Sequence, residues 1–204
     1  NTFKGKITTE ELSWEGFFFL EESVLSKNQF SGELQPTLEM TLLLTLHLSS
    51  NRFIGTIPLE WSALSDTMRT LILDTNQLDG DLQVLGTESG STSRLSTLFL
   101  HNNQFSGGIP ESLFLGFDDL APIIVDLGNN TFTGSIPESF ALLSTRLEYF
   151  VLTQNEDIVG DVDVLCLEPN EQESSFNRTI LVDCRLNCNC CTACCDNVNG
   201  TSST

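Results

Sequence analysis

The sequence has little positive charge, no cysteine before residue 166 and no long apolar run. Its 204 residues include 9 Lys+Arg against 28 Asp+Glu, which gives a formal net charge of −19. Such a chain repels phosphate backbones, so nucleic acid is not an expected partner, whereas cationic peptides, basic proteins and divalent cations are. The apolar stretches, such as residues 17–20, are far shorter than the ~20 residues that cross a bilayer. The composition predicts a globular, soluble, acidic protein with no membrane span in this sequence.

All seven cysteines lie near the C-terminal end, at Cys166, Cys184, Cys188, Cys190, Cys191, Cys194 and Cys195. This local density predicts disulfide bonds and an oxidising compartment. An odd number leaves one cysteine over, and the sequence does not choose among the pairings. Glycosylation sequons at Asn129, Asn177 and Asn199 also fit a protein that is secreted or held at the extracellular face of the cell.

A motif of asparagine, a large apolar residue and glycine recurs seven times. The glycines lie 23 to 27 residues apart, at Gly5, Gly32, Gly55, Gly80, Gly107, Gly134 and Gly160. An asparagine precedes each by four or five residues, at Asn1, Asn28, Asn51, Asn76, Asn103, Asn130 and Asn155. Alternating aliphatic residues precede most of these asparagines, as Leu46 and Leu48 precede Asn51. Self-similarity at this period indicates a solenoid.

The motif has a physical reading. A leucine-x-leucine pair puts two side chains on one face of a short strand, and only stacked copies can bury that face. An asparagine that turns inward costs about 1–3 kcal/mol if it has no partner. We therefore expect each asparagine to bond the turn backbone of a neighbouring coil, and each glycine to supply a turn that a Cβ would strain.

The N-x-F-x-G-x-I-P signature at residues 51–58 and 130–137 resembles leucine-rich repeat proteins of the plant-specific type. That group includes receptor-kinase ectodomains and polygalacturonase-inhibiting proteins. The resemblance covers residues 1–165, although all but one of the steps exceed the family's usual 24. It implies an α/β solenoid: a right-handed superhelix with a parallel concave β-sheet and a convex side of short helical, 3-10 and irregular segments. Because Asn1 stands in the middle of a coil, we expect the natural protein to continue upstream.

Residues 166–204 are expected to form a cysteine-rich cap and a flexible tail, similar to those of secreted algal and diatom repeat proteins. Cys166 is expected to bridge into the cysteine cluster. The segment TILVDC at residues 179–184 is expected to form a last strand, with Val182 and Cys184 as its inward pair.

The outward positions of the strands would share one surface, with equivalent residues of neighbouring coils about 4.8 Å apart. These positions offer an apolar strip of Ile72, Phe99, Ile124, Tyr149 and Val151, rimmed by His47, Asp74, His101 and Asp126. An apolar patch with a polar border is typical of a recognition surface. We therefore expect a monomeric, extracellular module that binds a protein, peptide or glycan, as the resemblance also implies. A structural or adhesive wall or surface protein is the alternative.

Other chemistries are weighed against this interpretation. Ser49, Asp74 and His101 could suggest a hydrolytic triad, but the acid would stand where the imidazole belongs. Neither catalytic residues nor a cofactor is predicted, and a carbohydrate hydrolase is disfavoured. Asp74, His101 and Asp126 could hold a proton or a divalent cation, yet without a second histidine in reach we predict no metal site.

Two further patterns are weaker. Cys188, Cys191 and Cys194 have the spacing of an iron–sulfur run but lack its continuation, which favours disulfides. The threonines Thr45, Thr70 and Thr97 resemble the rows of ice-binding solenoids, in a short row.

Overall fold

The computed structural model describes residues 4–6, 19–36, 42–64, 67–86, 94–114, 121–166, 178–195 and 202–203. The predicted sequons at Asn177 and Asn199 lie outside these residues, as does Asn1. The side chain of Cys195 is not described either.

The aliphatic segments upstream of the asparagines form a first, mostly parallel sheet. Its strands are β2 (Glu22–Val24), β4 (Thr45–His47), β6 (Thr70–Ile72), β8 (Thr97–Phe99), β10 (Ile123–Asp126), β12 (Leu147–Val151) and β14 (Thr179–Asp183). They pair in chain order, one coil against the next. Beyond β14, β15 (Ala193–Cys195) adds in parallel and β16 (Ser202–Ser203) pairs antiparallel to it.

A second parallel sheet, which the sequence analysis did not predict, forms from the asparagine-to-glycine segments. Its strands are β1 (Lys4–Lys6), β3 (Gln29–Glu33), β5 (Arg52–Gly55), β7 (Gln77–Gly80), β9 (Gln104–Gly108), β11 (Thr131–Gly134) and β13 (Asp157–Ile158). The predicted 3-10 segments are confirmed at Leu59–Leu64, Gln83–Leu85, Glu111–Phe114, Glu138–Leu143 and Asp163–Leu165. No helix within the described ranges is long and apolar enough to cross a membrane.

The core lies between the two sheets and is continuous from coil to coil. Leu46, Leu71 and Leu98 are neighbours in register on the first sheet, and each is fully buried. From the second sheet, the buried rings of Phe105 and Phe132 stack nearly parallel, with centroids 6.4 Å apart. Because every coil repeats the same apolar positions, each coil buries the faces of its neighbours.

The predicted asparagine ladder is confirmed, and Asn130 illustrates it. Its Nδ2 donates to the carbonyl of Leu100 in the preceding coil at 3.1 Å and to Leu127 in its own coil at 3.1 Å. Its Oδ1 accepts the amide of Phe105 at 3.0 Å. Asn51, Asn76, Asn103 and Asn155 make the same set of bonds. Each asparagine therefore hydrogen-bonds backbone groups of the turns, which the stacking of the coils removes from water.

The turn before each asparagine uses a left-handed residue. Six non-glycine residues have a φ of 51–60°, namely Lys27, Ser50, Thr75, Asn102, Asn129 and Gln154. The predicted turn role of the motif glycines is confirmed, since Gly55, for example, has a φ of 75°. An asparagine tolerates the left-handed region better than β-branched Thr75 does.

The last coil departs from the expectation for residues 179–184. Its inward pair is Ile180 and Val182, because Ile180 pairs with Phe150 and both Ile180 and Val182 are buried. The expected pair was therefore wrong by two residues. Buried Asp183 accepts the amides of Gln154 and Asn155, at 2.8 and 3.3 Å. A carboxylate there completes the turn that the next coil's backbone would otherwise complete.

Three disulfides fasten this end. Cys166 bonds Cys190, which confirms the expected bridge into the cluster, and Cys184 bonds Cys194. Cys188 bonds Cys191 three residues away. Arg185 donates to the carbonyls of Asn155 and Ile158, so the cap also bonds the last full coil without sulfur.

Candidate functional site: the open face of the first sheet

The residues that point away from the core on the first sheet form what we call the open face. Strand register confirms the predicted rows. One row consists of Thr45, Thr70, Thr97, Ile124 and Tyr149, and the next of His47, Ile72, Phe99, Asp126 and Val151. Residues of five successive coils therefore present side chains to one surface.

An aromatic pair lies in the middle of the open face. The ring centroids of Phe99 and Tyr149 are 6.4 Å apart and tilted by 51°. Phe99 is partly exposed, while Leu98 and Leu100 on either side of it are fully buried. Burial, and then the negative charge of Asp126, raise the pKa of the Tyr149 hydroxyl. Its phenol therefore stays neutral and can donate a hydrogen bond.

His101 lies beside the aromatic pair and between two carboxylates. Its ring centroid is 6.3 Å from that of Phe99. The Nε2 of His101 is 3.5 Å from Oδ2 of Asp74, and its Nδ1 is 3.1 Å from Oδ2 of Asp126. Nδ1 is shielded from solvent and makes no aligned hydrogen bond, so the contact with Asp126 is an ion-pair distance without hydrogen-bond geometry. We call these three residues the Asp–His–Asp cluster.

Gly128 gives Asp126 the room to reach His101. Its amide donates to Oδ1 of Asp126 at 3.0 Å, which leaves Oδ2 facing the imidazole. A Cβ on Gly128 would stand 3.2 Å from Oδ1 of Asp126 and 3.3 Å from Cγ1 of Val151. The sequence analysis gave Gly128 no role. The available signal was a glycine where neighbouring coils carry Asp74 and His101.

The carboxyl of Asp126 has a raised pKa, and the largest cause is desolvation by burial. The hydrogen bond from the Gly128 amide and the charge of His101 oppose this shift, and the charge of Asp74 adds to it. When a carboxyl is buried beside a second one, it is unfavourable for both to be negatively charged without a positive partner. The cluster is thus a place where a positive charge is favoured.

The structure does not assemble the triad considered from the sequence. Ser49 is buried and hydrogen-bonds the Nε2 of His47 at 2.7 Å, whereas His101 faces its two carboxylates. The two carboxylates lie on opposite ring nitrogens and do not converge on one point. Among the described residues, the group with three metal-type ligand atoms in mutual reach is Cys166, Cys188 and Cys190, and disulfides already occupy it.

Val151 was predicted to be part of the exposed apolar strip, but it is buried. It holds its place in the row, paired with Asp126 and Leu181, but it is 7% exposed. Gly128 leaves a gap beside it, and Val151 packs toward that gap, with its Cγ1 near the missing Cβ. The apolar part of the open face therefore consists of Ile72, Phe99, Ile124 and Tyr149.

Comparison with known proteins identifies the repeat in three segments of the chain. The Leucine Rich Repeat family model matches residues 42–64, 94–115 and 123–143. These three segments are leucine-rich repeats. Each runs from a strand of the first sheet into a 3-10 helix. No curated protein matches the sequence.

Solved structures share the fold over most of the chain. The complex of PEPR1 with AtPEP1 is 28% identical at a TM-score of 0.67, over 90% of this chain and 24% of PEPR1. The Arabidopsis receptor kinase HAESA, in complex with the peptide hormone IDA and the co-receptor SERK1, is 24% identical at a TM-score of 0.69, over 100% and 34%. This chain thus spans a quarter to a third of those proteins. A plant ice-binding protein shares the fold at 21% identity and a TM-score of 0.52, over 87% and 58%.

Proposed function

We propose that this leucine-rich repeat protein is an extracellular recognition module that binds an extended peptide, free or as part of a protein, on the open face. The observation that carries the proposal is the partly exposed aromatic pair Phe99–Tyr149 beside the Asp–His–Asp cluster. Aromatic residues at the centre of a patch with a polar border supply much of the affinity in protein interfaces.

The charge of the site favours a cationic ligand. Asp74 and Asp126 form ion pairs with His101 alone among the described residues, so neither has a lysine or arginine partner. The whole chain has a formal net charge of −19. A peptide with a lysine or arginine next to an aromatic or aliphatic residue would match both parts of the site, and the long-range field would attract it.

The cap and the open face support an extracellular location. Three disulfides in one cap are typical of proteins that leave the cytoplasm. Of the three sequons, Asn129 is described and exposed. It stands one residue after Gly128, so a glycan on Asn129 would border the open face. Relatives of this fold in complex with a peptide hormone also support extracellular recognition.

Ligand binding can be tested by selecting random twelve-residue peptides on the oxidised protein. We expect selected peptides to be enriched in lysine or arginine next to an apolar residue. The double variant Phe99→Ala/Tyr149→Ala should then weaken their binding by about tenfold or more, because it removes the apolar centre of the site. Isothermal titration calorimetry measures the change.

The matched control is Leu142→Ala. Leu142 is 70% exposed on the 3-10 helix Glu138–Leu143, so the variant removes an apolar surface group from a different part of the coil. It should leave affinity within about twofold of the wild type. Circular dichroism establishes that each variant is folded, and Phe99→Ala alone replaces the double variant if that one unfolds. No enrichment, or equal losses in Leu142→Ala and the double variant, would refute the proposal.

The arrangement of side chains on the open face disfavours ice binding. Thr45, Thr70 and Thr97 do pair in adjacent strands, as the sequence predicted. The row continues with Ile124 and Tyr149, however, so the regular hydroxyl-bearing surface is only three coils long.

A further inference from the structure

The Asp–His–Asp cluster cannot satisfy both carboxylates when its imidazole is neutral. A neutral ring has one N–H, whereas an imidazolium has two. Each ring nitrogen of His101 faces a different carboxylate, at 3.5 Å for Asp74 and 3.1 Å for Asp126. Only the protonated ring therefore places a positive charge beside both carboxylates, and this charge then links three successive coils. In the neutral ring, one carboxylate has no partner on the imidazole.

Within the described part of the chain, no other positive charge lies at ion-pair distance from the two carboxylates. The titratable groups that face the cluster are Tyr149, which carries no positive charge, and the two carboxylates themselves. Thr75 donates its hydroxyl to Oδ2 of Asp74 at 3.2 Å, and Gly128 donates its amide to Asp126. Both neighbours bond a carboxylate without neutralising it. A positive charge must come from His101 or from a ligand.

We infer that the Asp–His–Asp cluster is a proton-gated cation subsite, in which a proton on His101 and the ammonium or guanidinium group of a bound peptide compete for the carboxylate that the neutral imidazole leaves without a partner. The inference rests on the proposed function and specifies its chemistry. With the ring protonated, the three groups carry a net charge of −1, and with the ring neutral they carry −2. The subsite therefore attracts a cation more strongly after the proton leaves.

This change in charge gives the direction in which peptide affinity depends on pH. As pH falls, a proton on His101 offsets part of the negative charge of the two carboxylates, and the cluster attracts the peptide cation less strongly. Affinity for a cationic peptide should be about two- to fivefold weaker at pH 5 than at pH 7.5, the size expected for a partly exposed ion pair. The same peptide with glutamine in place of its lysine or arginine should bind with little change over this range.

The role of the second carboxylate is measurable with Asp126→Asn, which removes one negative charge and keeps the shape of the side chain. We expect this variant to lose most of the difference in affinity for a cationic peptide between pH 7.5 and pH 5, because the neutral imidazole then leaves no carboxylate unpaired. His47→Gln should keep the difference, because His47 hydrogen-bonds a serine hydroxyl rather than a carboxylate.

Gly128→Ala tests the geometry without removing a charge. The new Cβ would crowd Oδ1 of Asp126, so it should push the carboxylate away from His101 and reduce the same difference in affinity between pH 7.5 and pH 5. Gly108→Ala is the matched control, because its Cβ would come no closer than 3.9 Å to an atom beyond its two chain neighbours. A wild-type difference in affinity in both Asp126→Asn and Gly128→Ala would overturn the inference.

Measurement of peptide binding at two pH values tests the inference separately from the proposed function. A selected cationic peptide should bind wild-type protein more tightly at pH 7.5 than at pH 5, and His101→Gln should remove that difference. Binding that is independent of pH in the wild type refutes the proton gate and leaves the recognition face standing. Failure of the folded protein to bind at either pH refutes the proposed function itself.

Discussion

At the scale of a single residue, Asn130 accounts for much of how one coil holds its neighbour. Its amide group bonds backbone atoms of two coils, and its side chain is buried. An alanine would leave the carbonyls of Leu100 and Leu127 and the amide of Phe105 without this partner.

We therefore predict that Asn130→Ala lowers the free energy of unfolding by about 1–3 kcal/mol. Urea denaturation followed by circular dichroism measures the change. Gln154→Gly is the matched control, because Gln154 is exposed and has a φ of 60°, which glycine adopts freely. Equal effects of the two substitutions would show that the ladder contributes little.

The inward and outward positions could be read from the sequence because they depend on local periodicity. Phe99, His101 and Asp126 hold the predicted places for that reason. The burial of Val151 could not be read, because it depends on Gly128 in the neighbouring coil and on the side chains that close around it. The roles of Gly128 and Asp183 depend on the same kind of lateral contact.

At the scale of elements, the first sheet was predictable and the second was not. The leucine-x-leucine alternation has the period of a strand. In β5, by contrast, Arg52–Gly55 alternates over few residues and ends at a glycine with a φ of 75°. Such a segment pairs only because the stacking of the coils brings neighbouring copies together. The 179–184 segment was misplaced because cysteine was counted as an inward apolar residue, while the register puts Ile180 opposite Phe150.

The disulfide bonds of the cap lead to a prediction at the scale of elements. The Cys166–Cys190 bond closes a chain segment with a sequence separation of 24, against 3 for Cys188–Cys191. Because a longer closed loop restrains the unfolded chain more, Cys166→Ser/Cys190→Ser should cost about 3 kcal/mol, and Cys188→Ser/Cys191→Ser clearly less.

Hydrogen exchange locates the effect of each pair of substitutions. Loss of the first bridge should speed exchange in the coil that contains Val162 and Leu165, whose amides now bond Asn187 and Val162. Equal losses for the two bridges would contradict the loop-length argument and point to native-state strain instead.

At the scale of the whole molecule, stacking turns a one-dimensional repeat into a shared surface. Each coil contributes only a few side chains to the open face, and no coil could form a site alone. The acidic charge of the chain acts over the same distance and favours cationic partners. The identity of the ligand was not predictable, because it depends on which side chains five coils happen to bring together.

The most direct test of this account is isoleucine methyl NMR of the protein during addition of a selected cationic peptide. Ile72 and Ile124 lie on the open face, and Ile54 is 45% exposed on the second sheet. We predict that the methyl signals of Ile72 and Ile124 shift in proportion to bound peptide while that of Ile54 stays in place. Movement of Ile54 with unchanged Ile72 and Ile124 would contradict the claim that the open face is the binding surface.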